Sequence, residues 1–341
     1  MSKKNAIVCG VDIGYSNVKI ATGDAFASVP DVSIFPAYAT TEEEEDVNLV
    51  KRNRDHEVTV YPNGNMWRAF TDRPDGRELH DSYHTTEMYL ALYFGSLAKI
   101  AEKVGSTIDL LVTGLPVRLA SDDNERSKLV ARLTGTFTIN PSTKVTVKQV
   151  MVIPQGVGVI NDVANREGFI SEDELSESNI LVIDPGFFSM DYVAFSNGSR
   201  VMGSSGSSLK ATSTIIEGIV RTLNEENPHE RRDDLPEMVE IALRKDAASF
   251  FNGARHIEVK PLLSKVIPQI AGGVVKELRK NVRALGAIHI IVTAGGGAPY
   301  YEQAVREAFQ NARIVTSPNP VASNAIGFWN YGVDTVIYGD E

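Results

Sequence analysis

A short apolar run that closes on Asp-x-Gly occurs twice in this chain, and that repetition limits what the chain can fold into more than any other feature. The first copy reads Val11-Asp12-Ile13-Gly14-Tyr15-Ser16-Asn17-Val18-Lys19, and the second Ile183-Asp184-Pro185-Gly186-Phe187-Phe188-Ser189-Met190-Asp191. Each spells a strand (Ala6 to Ile13, Ile180 to Asp184), a tight glycine turn and a returning strand. Backbone N–H groups in such turns face a common concavity that suits phosphate, and a carboxylate just ahead of the turn can hold hydrated Mg²⁺. Two related halves facing each other would clamp one nucleotide between them.

At 341 residues the chain is long enough for two domains. Hydrophobic residues at 43% and charged residues at 23% describe an ordinary globular protein rather than a disordered one. A formal net charge of −10 argues against strong direct nucleic-acid binding, which needs a basic face. The single cysteine, Cys9, excludes an internal disulfide and a Cys-based zinc site, and its place in an apolar strand makes it a small buried hydrophobe. No apolar run reaches membrane-spanning length. Lys3 and Lys4 precede an apolar stretch, but Asp12 and Lys19 interrupt it too soon for a signal peptide, so a cytoplasmic location is expected.

Along the chain, residues from about Gly23 to His84 read as irregular, an inserted subdomain with an acidic run, Glu42 to Asp46, and a basic cluster, Lys51, Arg52 and Arg54. Such runs are either a solvated loop or an edge that meets a partner. A helix follows over Thr85 to Lys103 with Met88, Leu92, Leu97 and Ile100 buried, then a strand over Asp109 to Leu115, a charged helix over Asn124 to Leu133 and a strand over Lys144 to Ile153. Val157 to Asn165 starts the helix leading into the second half. There, Gly203 to Ser208 reads as a turn or helix mouth ahead of apolar helical spacing at Leu209, Ile215, Ile216, Ile219 and Leu223. Asn224 to Glu237 reads as a surface loop, Val239 to Arg244 and Val259 to Leu285 as mainly helical, His289 to Thr293 as a buried strand, and Tyr300 to Gln310 as a helix. Between the last two, Gly295, Gly296 and Gly297 let backbone approach a flat ligand.

Each candidate site residue has a plainer reading beside the chemical one. Asp12 and Asp184 could cap their own turns, but their matched positions favour metal binding for the pair. Gln155, after a strand and a proline, is either a surface amide or the group that orients a water for attack on a terminal phosphate. Lys19 would reach phosphate as a point charge or stand exposed on its strand. Glu217 would accept from ribose hydroxyls or remain a solvated helix carboxylate.

Taken in order, these segments resemble the actin, heat-shock chaperone and sugar kinase ATPase superfamily. The resemblance rests on Asp12-Ile13-Gly14 as first phosphate loop, Pro154-Gln155-Gly156 as first connecting segment and Asp184-Pro185-Gly186 as second phosphate loop. Ala294 to Gly297 matches the adenosine loop, and Asn319 to Gly327 the second connecting segment. Within that superfamily, Asp12 to Lys19, Thr113-Gly114-Leu115-Pro116 and Val152 to Gly156 look most like the ParM and StbA group of bacterial plasmid-segregation actins and their archaeal relatives. One departure stands out: the group's second loop is usually Asp-Leu-Gly-Gly-Thr-Thr, whereas Phe187 and Phe188 occupy its second glycine and first threonine here. A bulky side chain must then turn away from phosphate.

The resemblance implies an α/β, actin-like (ribonuclease H-like) fold with two similar domains around a nucleotide cleft. Domain one would take 1–160 with 328–341 and carry the insert at about 23–84; domain two would take 161–327 with a helical subdomain at about 205–285. It also implies an ATPase, with GTP a possible substitute for ATP, and Mg²⁺ held through water by Asp12 and Asp184. Gln155 with Asp184 would orient the attacking water. The turn amides of Gly14, Tyr15, Ser16 and Gly186, that of Phe187, and the neighbouring Asn17 and Lys19 would serve phosphate; Glu217, Gly295, Gly296 and Gly297 would face sugar and base. The partners implied are further copies of the chain in a filament and a DNA-bound adaptor, with no membrane. A small-molecule kinase or a nucleotide-switched scaffold that does not polymerise are the alternatives on this fold.

Overall fold

The structure is a computed structural model that describes residues 6–41, 54–72, 80 and 82–339. The chain divides into two compact units, Met1–Glu167 with Val321–Glu341, and Gly168–Pro320. The second break falls ahead of the last helix rather than inside it, because that helix packs as one body on the first unit's sheet. The acidic run Glu42 to Asp46 and the basic residues Lys51 and Arg52 lie outside the described residues.

In the first unit β1 (Ile7–Ile13) turns into β2 (Asn17–Asp24), which pairs with β3 (Asp31–Pro36). A small sheet of β4 (Ala39–Thr40), β5 (Val58–Val60) and β6 (Trp67–Ala69) comes next, where the sequence pattern led us to expect irregular chain. Strands of two or three residues are too short for alternation to register. Then come α1 (Glu87–Val104), β7 (Thr107–Leu115), α2 (Val117–Ala120), α3 (Asp123–Leu133), β8 (Gly135–Asn140), β9 (Thr143–Pro154) and α4 (Val157–Ala164). Among the described residues the sheet order is β3-β2-β1-β7-β9-β8, with β1, β7 and β9 mutually parallel. β1 reads as an unbroken apolar run because both faces are covered. On one face α1 packs over Cys9, Val11, Val18 and Ile20. On the other, α10 (Ser323–Tyr338) sets Ala325 and Trp329 against Val8 and Ala21.

Helix α1 begins where its sequence says it should. Thr86 caps it, its hydroxyl accepting from the Tyr89 N–H at 3.1 Å, and Glu87 stands in the first turn, where a negative charge favours the helix dipole. Leu92, Leu97 and Ile100 are fully buried, each contributing about 1.5–3 kcal/mol relative to exposure.

The second unit contains α5 (Glu172–Glu177), β10 (Asn179–Pro185), β11 (Met190–Ser196), β12 (Ser199–Arg200), β13 (Gly206–Ser208), α6 (Thr212–Glu226), α7 (Leu235–Arg244), β14 (Ser249–Phe251), β15 (His256–Glu258), α8 (Val259–Asn281), β16 (Ile290–Thr293), α9 (Ala298–Ala308) and β17 (Arg313–Thr316). Its sheet runs β12-β11-β10-β16-β17, with β10, β16 and β17 parallel and β13 added on β11. This repeats the central order of the first unit's sheet. α6, α8 and α9 close one face over Leu181, Ile183 and Met190. Two expectations are corrected here. The serine-rich stretch is not a helix mouth: Gly206–Ser208 is a strand paired with β11, and Leu209 lies exposed ahead of α6. The Asn224 to Glu237 loop is shorter than expected, since α6 runs to Glu226 and α7 starts at Leu235.

Candidate functional site

The two Asp-x-Gly hairpins match residue for residue. In the first, Ile13 pairs with Val18 and Asp12 with Lys19; in the second, Pro185 pairs with Met190 and Asp184 with Asp191. Each four-residue turn is closed by its glycine amide: Gly14 N–H donates to Asn17 O at 3.1 Å, and Gly186 N–H to Ser189 O at 2.8 Å. This corrects the reading that those two amides serve phosphate, because closing the turn uses both.

In the first unit the structure gathers Asp12, Lys19 and Gln155. Asp12 is buried, with Oδ2 accepting from Lys19 Nζ at 2.9 Å and Oδ1 from Gln155 Nε2 at 3.0 Å. Lys19 therefore pairs with a carboxylate directly across the ladder rather than standing exposed. Gln155 is placed by its own backbone, whose N–H donates to Leu115 O at 2.8 Å. The next residue is held as well: Gly156 N–H donates to Asn324 Oδ1 at 2.9 Å, and Gly156 adopts φ 86, which a Cβ would oppose. Beneath the group lie two residues that sequence reasoning missed. Thr113 donates its hydroxyl to Val11 O at 2.7 Å. Tyr89 is raised in pKa, first by burial and further by the Asp12 charge, against a hydrogen bond to Thr113, so it stays a neutral phenol.

The side chain of Tyr15 turns away from its own turn: its hydroxyl donates to His80 O at 2.6 Å and its ring stacks on Tyr83. Ser16 accepts at its carbonyl from Ala37 N–H at 3.0 Å, and Asn17 begins β2.

In the second unit the hairpin turn is fixed by its carbonyls. Pro185 O accepts from Gly297 N–H at 2.8 Å, Gly186 O from Thr212 Oγ1 at 2.7 Å, and Phe187 O from Ser213 N–H at 2.9 Å. In trans peptides a carbonyl tied to one side directs the following N–H to the other, so the Phe187 and Phe188 amides point away from the start of α6. The Phe187 ring packs against the second unit's apolar core, which is how the loop tolerates a phenyl group where glycine is usual. Asp191, another missed residue, is buried and accepts from Ser189 Oγ at 2.8 Å and Ser207 Oγ at 2.5 Å. Asp184 is buried beside the glycine loop. A Cβ on Gly295 would lie 2.3 Å from Asp184 Oδ1, and Gly295 has φ 84. Only glycine permits that approach. Gly295 N–H donates to Pro320 O at 2.7 Å, Gly296 is exposed, Gly297 is buried, and Glu217 lies on the exposed face of α6.

Among the described residues no three His, Cys, Asp or Glu side chains group as a metal cluster, and no helix is long and apolar enough to cross a membrane.

Residues 10–158 match the family model for the N-terminal domain of actin like proteins. No curated protein sequence matches the chain. Among solved structures, the archaeal actin homolog Ta0583 superposes with a TM-score of 0.74 at 18% identity, covering 95% of this chain and 98% of that one. A ParM from a 15-stranded filament of Clostridium botulinum gives 0.70 at 18%, covering 96% and 99%. Bacillus thuringiensis ParM with AMPPNP gives 0.63 at 15%, covering 96% and 98%. The chain has the actin-like fold, and its residues 10–158 are similar to the N-terminal domain of actin like proteins.

Proposed function

We propose that this protein is a Mg²⁺-dependent actin-like ATPase, with GTP a possible alternative substrate, that polymerises with its nucleotide and moves plasmid copies apart through a DNA-bound adaptor. The observation that carries the reading is the residue-for-residue match of two Asp-x-Gly hairpins, one of which fastens Gln155 onto its aspartate. That nucleotide complexes and a filament occur among proteins of the same fold supports it.

The residues fit the ligand in kind. Mg²⁺ keeps several waters and takes one or two protein carboxylates together with substrate phosphates, so Asp12 and Asp184 suffice without a three-carboxylate cluster. Lys19 against Asp12 shows that the first hairpin already accommodates a positive charge beside that carboxylate. Mg²⁺ would supply charge neutralisation on the phosphates. The protein's own contribution is orientation. With Nε2 donating to Asp12, Gln155 is left with Oε1 as its acceptor, the group needed to hold the hydrogen of an attacking water. In this reading the amides of Tyr15 and Ser16 and that of Phe187 serve phosphate, with Asn17 and Lys19 alongside. Gly295, Gly296 and Gly297 serve base and sugar, and Glu217 the ribose.

Gln155→Ala is expected to keep nucleotide affinity and slow hydrolysis by about tenfold or more, measured as steady-state phosphate release. An unchanged rate would remove Gln155 from the chemistry.

Assembly is tested by pelleting and electron microscopy at tens of micromolar protein. Filaments are expected with ATP and not without it, at a critical concentration that rises with ionic strength if charged edges steer docking. Charge reversal at Lys51, Arg52 and Arg54 is expected to block assembly and spare nucleotide binding. Protein that stays in the supernatant with ATP at every salt concentration rejects the filament.

A further inference from the structure

The first turn is gripped by both connections of the inserted subdomain. Where the chain leaves β3 for the small β4–β6 sheet of the insert, Ala37 N–H donates to Ser16 O at 3.0 Å. Where it returns, the Tyr15 hydroxyl donates to His80 O at 2.6 Å, and the Tyr15 ring stacks on Tyr83 with centroids 4.6 Å apart. The returning segment is in turn anchored: His84 Nε2 and Glu125 Oε2 lie 3.0 Å apart, and the Arg132 guanidinium donates to the carbonyls of His84 and Thr86 at 2.5 and 2.7 Å. At the insert's foot Phe70, a buried aromatic held at φ 68, stacks on Phe35 at 4.6 Å. Bulky residues rarely adopt that backbone, and such strain persists only where the surroundings fix it. The first turn is therefore bonded both to the segment that leads into the insert and to the segment that follows it.

We infer that Tyr15 is a positioning residue: its side chain touches no nucleotide, but by seating on His80 and Tyr83 it sets where the first turn's amides stand and couples their occupancy to the inserted subdomain. The inference rests on the nucleotide-binding reading above. Aromatic stacking supplies one part of the tie and the hydroxyl-to-carbonyl bond the other, so the two can be removed separately.

The test uses the full chain, a non-hydrolysable ATP analogue with Mg²⁺, and two readouts: the equilibrium affinity, and hydrogen exchange in peptides covering residues 54–72 with and without analogue. In the unaltered protein the analogue is expected to slow exchange there. Tyr15→Phe keeps the stack and loses the bond to His80, so affinity should fall about fivefold and the exchange difference shrink. Tyr15→Ala should weaken affinity by at least about tenfold and abolish the difference. Tyr83→Leu, which leaves the turn's own sequence intact, should abolish it too. A purely structural role would lower the melting temperature of these variants while the nucleotide-dependent difference persists. Should the alanine variant not fold, Tyr15→Phe and Tyr83→Leu decide the matter alone. Variants that keep full affinity and the full exchange difference overturn the inference and leave the ATPase reading standing; failure of the unaltered protein to bind the analogue overturns both.

Discussion

Asp184→Asn should reduce nucleotide turnover by at least about 100-fold while leaving the melting temperature unchanged or higher. The two halves of that result follow from the neighbours of Asp184. It stands directly opposite Asp191 in the β10–β11 ladder, and both are buried. Like charges facing each other across a ladder are destabilising, so removing one of the two charges relieves that repulsion. Asp191 has its structural use in view: Ser189 and Ser207 each donate a hydroxyl to it, tying the turn and β13 to β11. Asp184 occupies the position that Asp12 holds in the other hairpin, pressed against Gly295, whose missing Cβ makes room for it. An amide there keeps the shape and one acceptor oxygen but removes the charge a cation needs. Steady-state phosphate release and a thermal melt on the same preparation check both halves. Full turnover would remove Asp184 from the site, and a melt lowered by several degrees would mean that its charge serves the fold instead.

The first-hairpin counterpart of Asp191 is Lys19, and that difference was countable in the sequence once a four-residue turn was granted to each copy. The strands Ile7–Ile13 and Asn179–Pro185, buried after their first residues, announce themselves as apolar runs, and α1 announces itself through the cap Thr86, the acid Glu87 and the terminal Gly105. β8, β17 and the β14–β15 pair went unread because edge strands with half-exposed faces lack both the unbroken apolar run and the clean alternation that mark a strand. The contacts that finish the candidate site were illegible for a different reason. Ser207 meets Asp191 only because β13 adopts one register on β11, and Asn324 meets Gly156 only because α10 lies against α4. Neither relation has a local pattern. Tyr15 shows the same limit: the Asp12 to Lys19 motif gives its amide a place in the turn but carries no sign that its side chain is held by residues more than sixty positions away.

That long-range fit also makes Gly327→Ala the most damaging single-methyl change we expect in the first unit. A Cβ at Gly327 would lie 1.6 Å from the backbone oxygen of Gly158, with the Asp162 nitrogen at 2.9 Å, so α10 and α4 would have to separate. Neither obstacle is a flexible side chain that could swing aside. Close-packed interiors do not absorb such a shift locally, and overpacking of this kind costs about 3 kcal/mol or more. At the size of this unit that corresponds to a fall of roughly 6–12 °C in melting temperature. The damage should reach the chemistry as well, because Asn324, one turn before Gly327, holds the amide of Gly156 and thereby the neighbouring Gln155 against Asp12. Gly272→Ala supplies the opposite sign on another helix. It lies inside α8 with open space where the methyl would go, so replacing glycine by the better helix former should stabilise by about 0.5–1 kcal/mol. Melts of the two variants beside the unaltered protein, with phosphate release from each, test the argument: a Gly327→Ala protein that melts and turns over normally would mean that α4 and α10 do not meet as closely as their glycines allow.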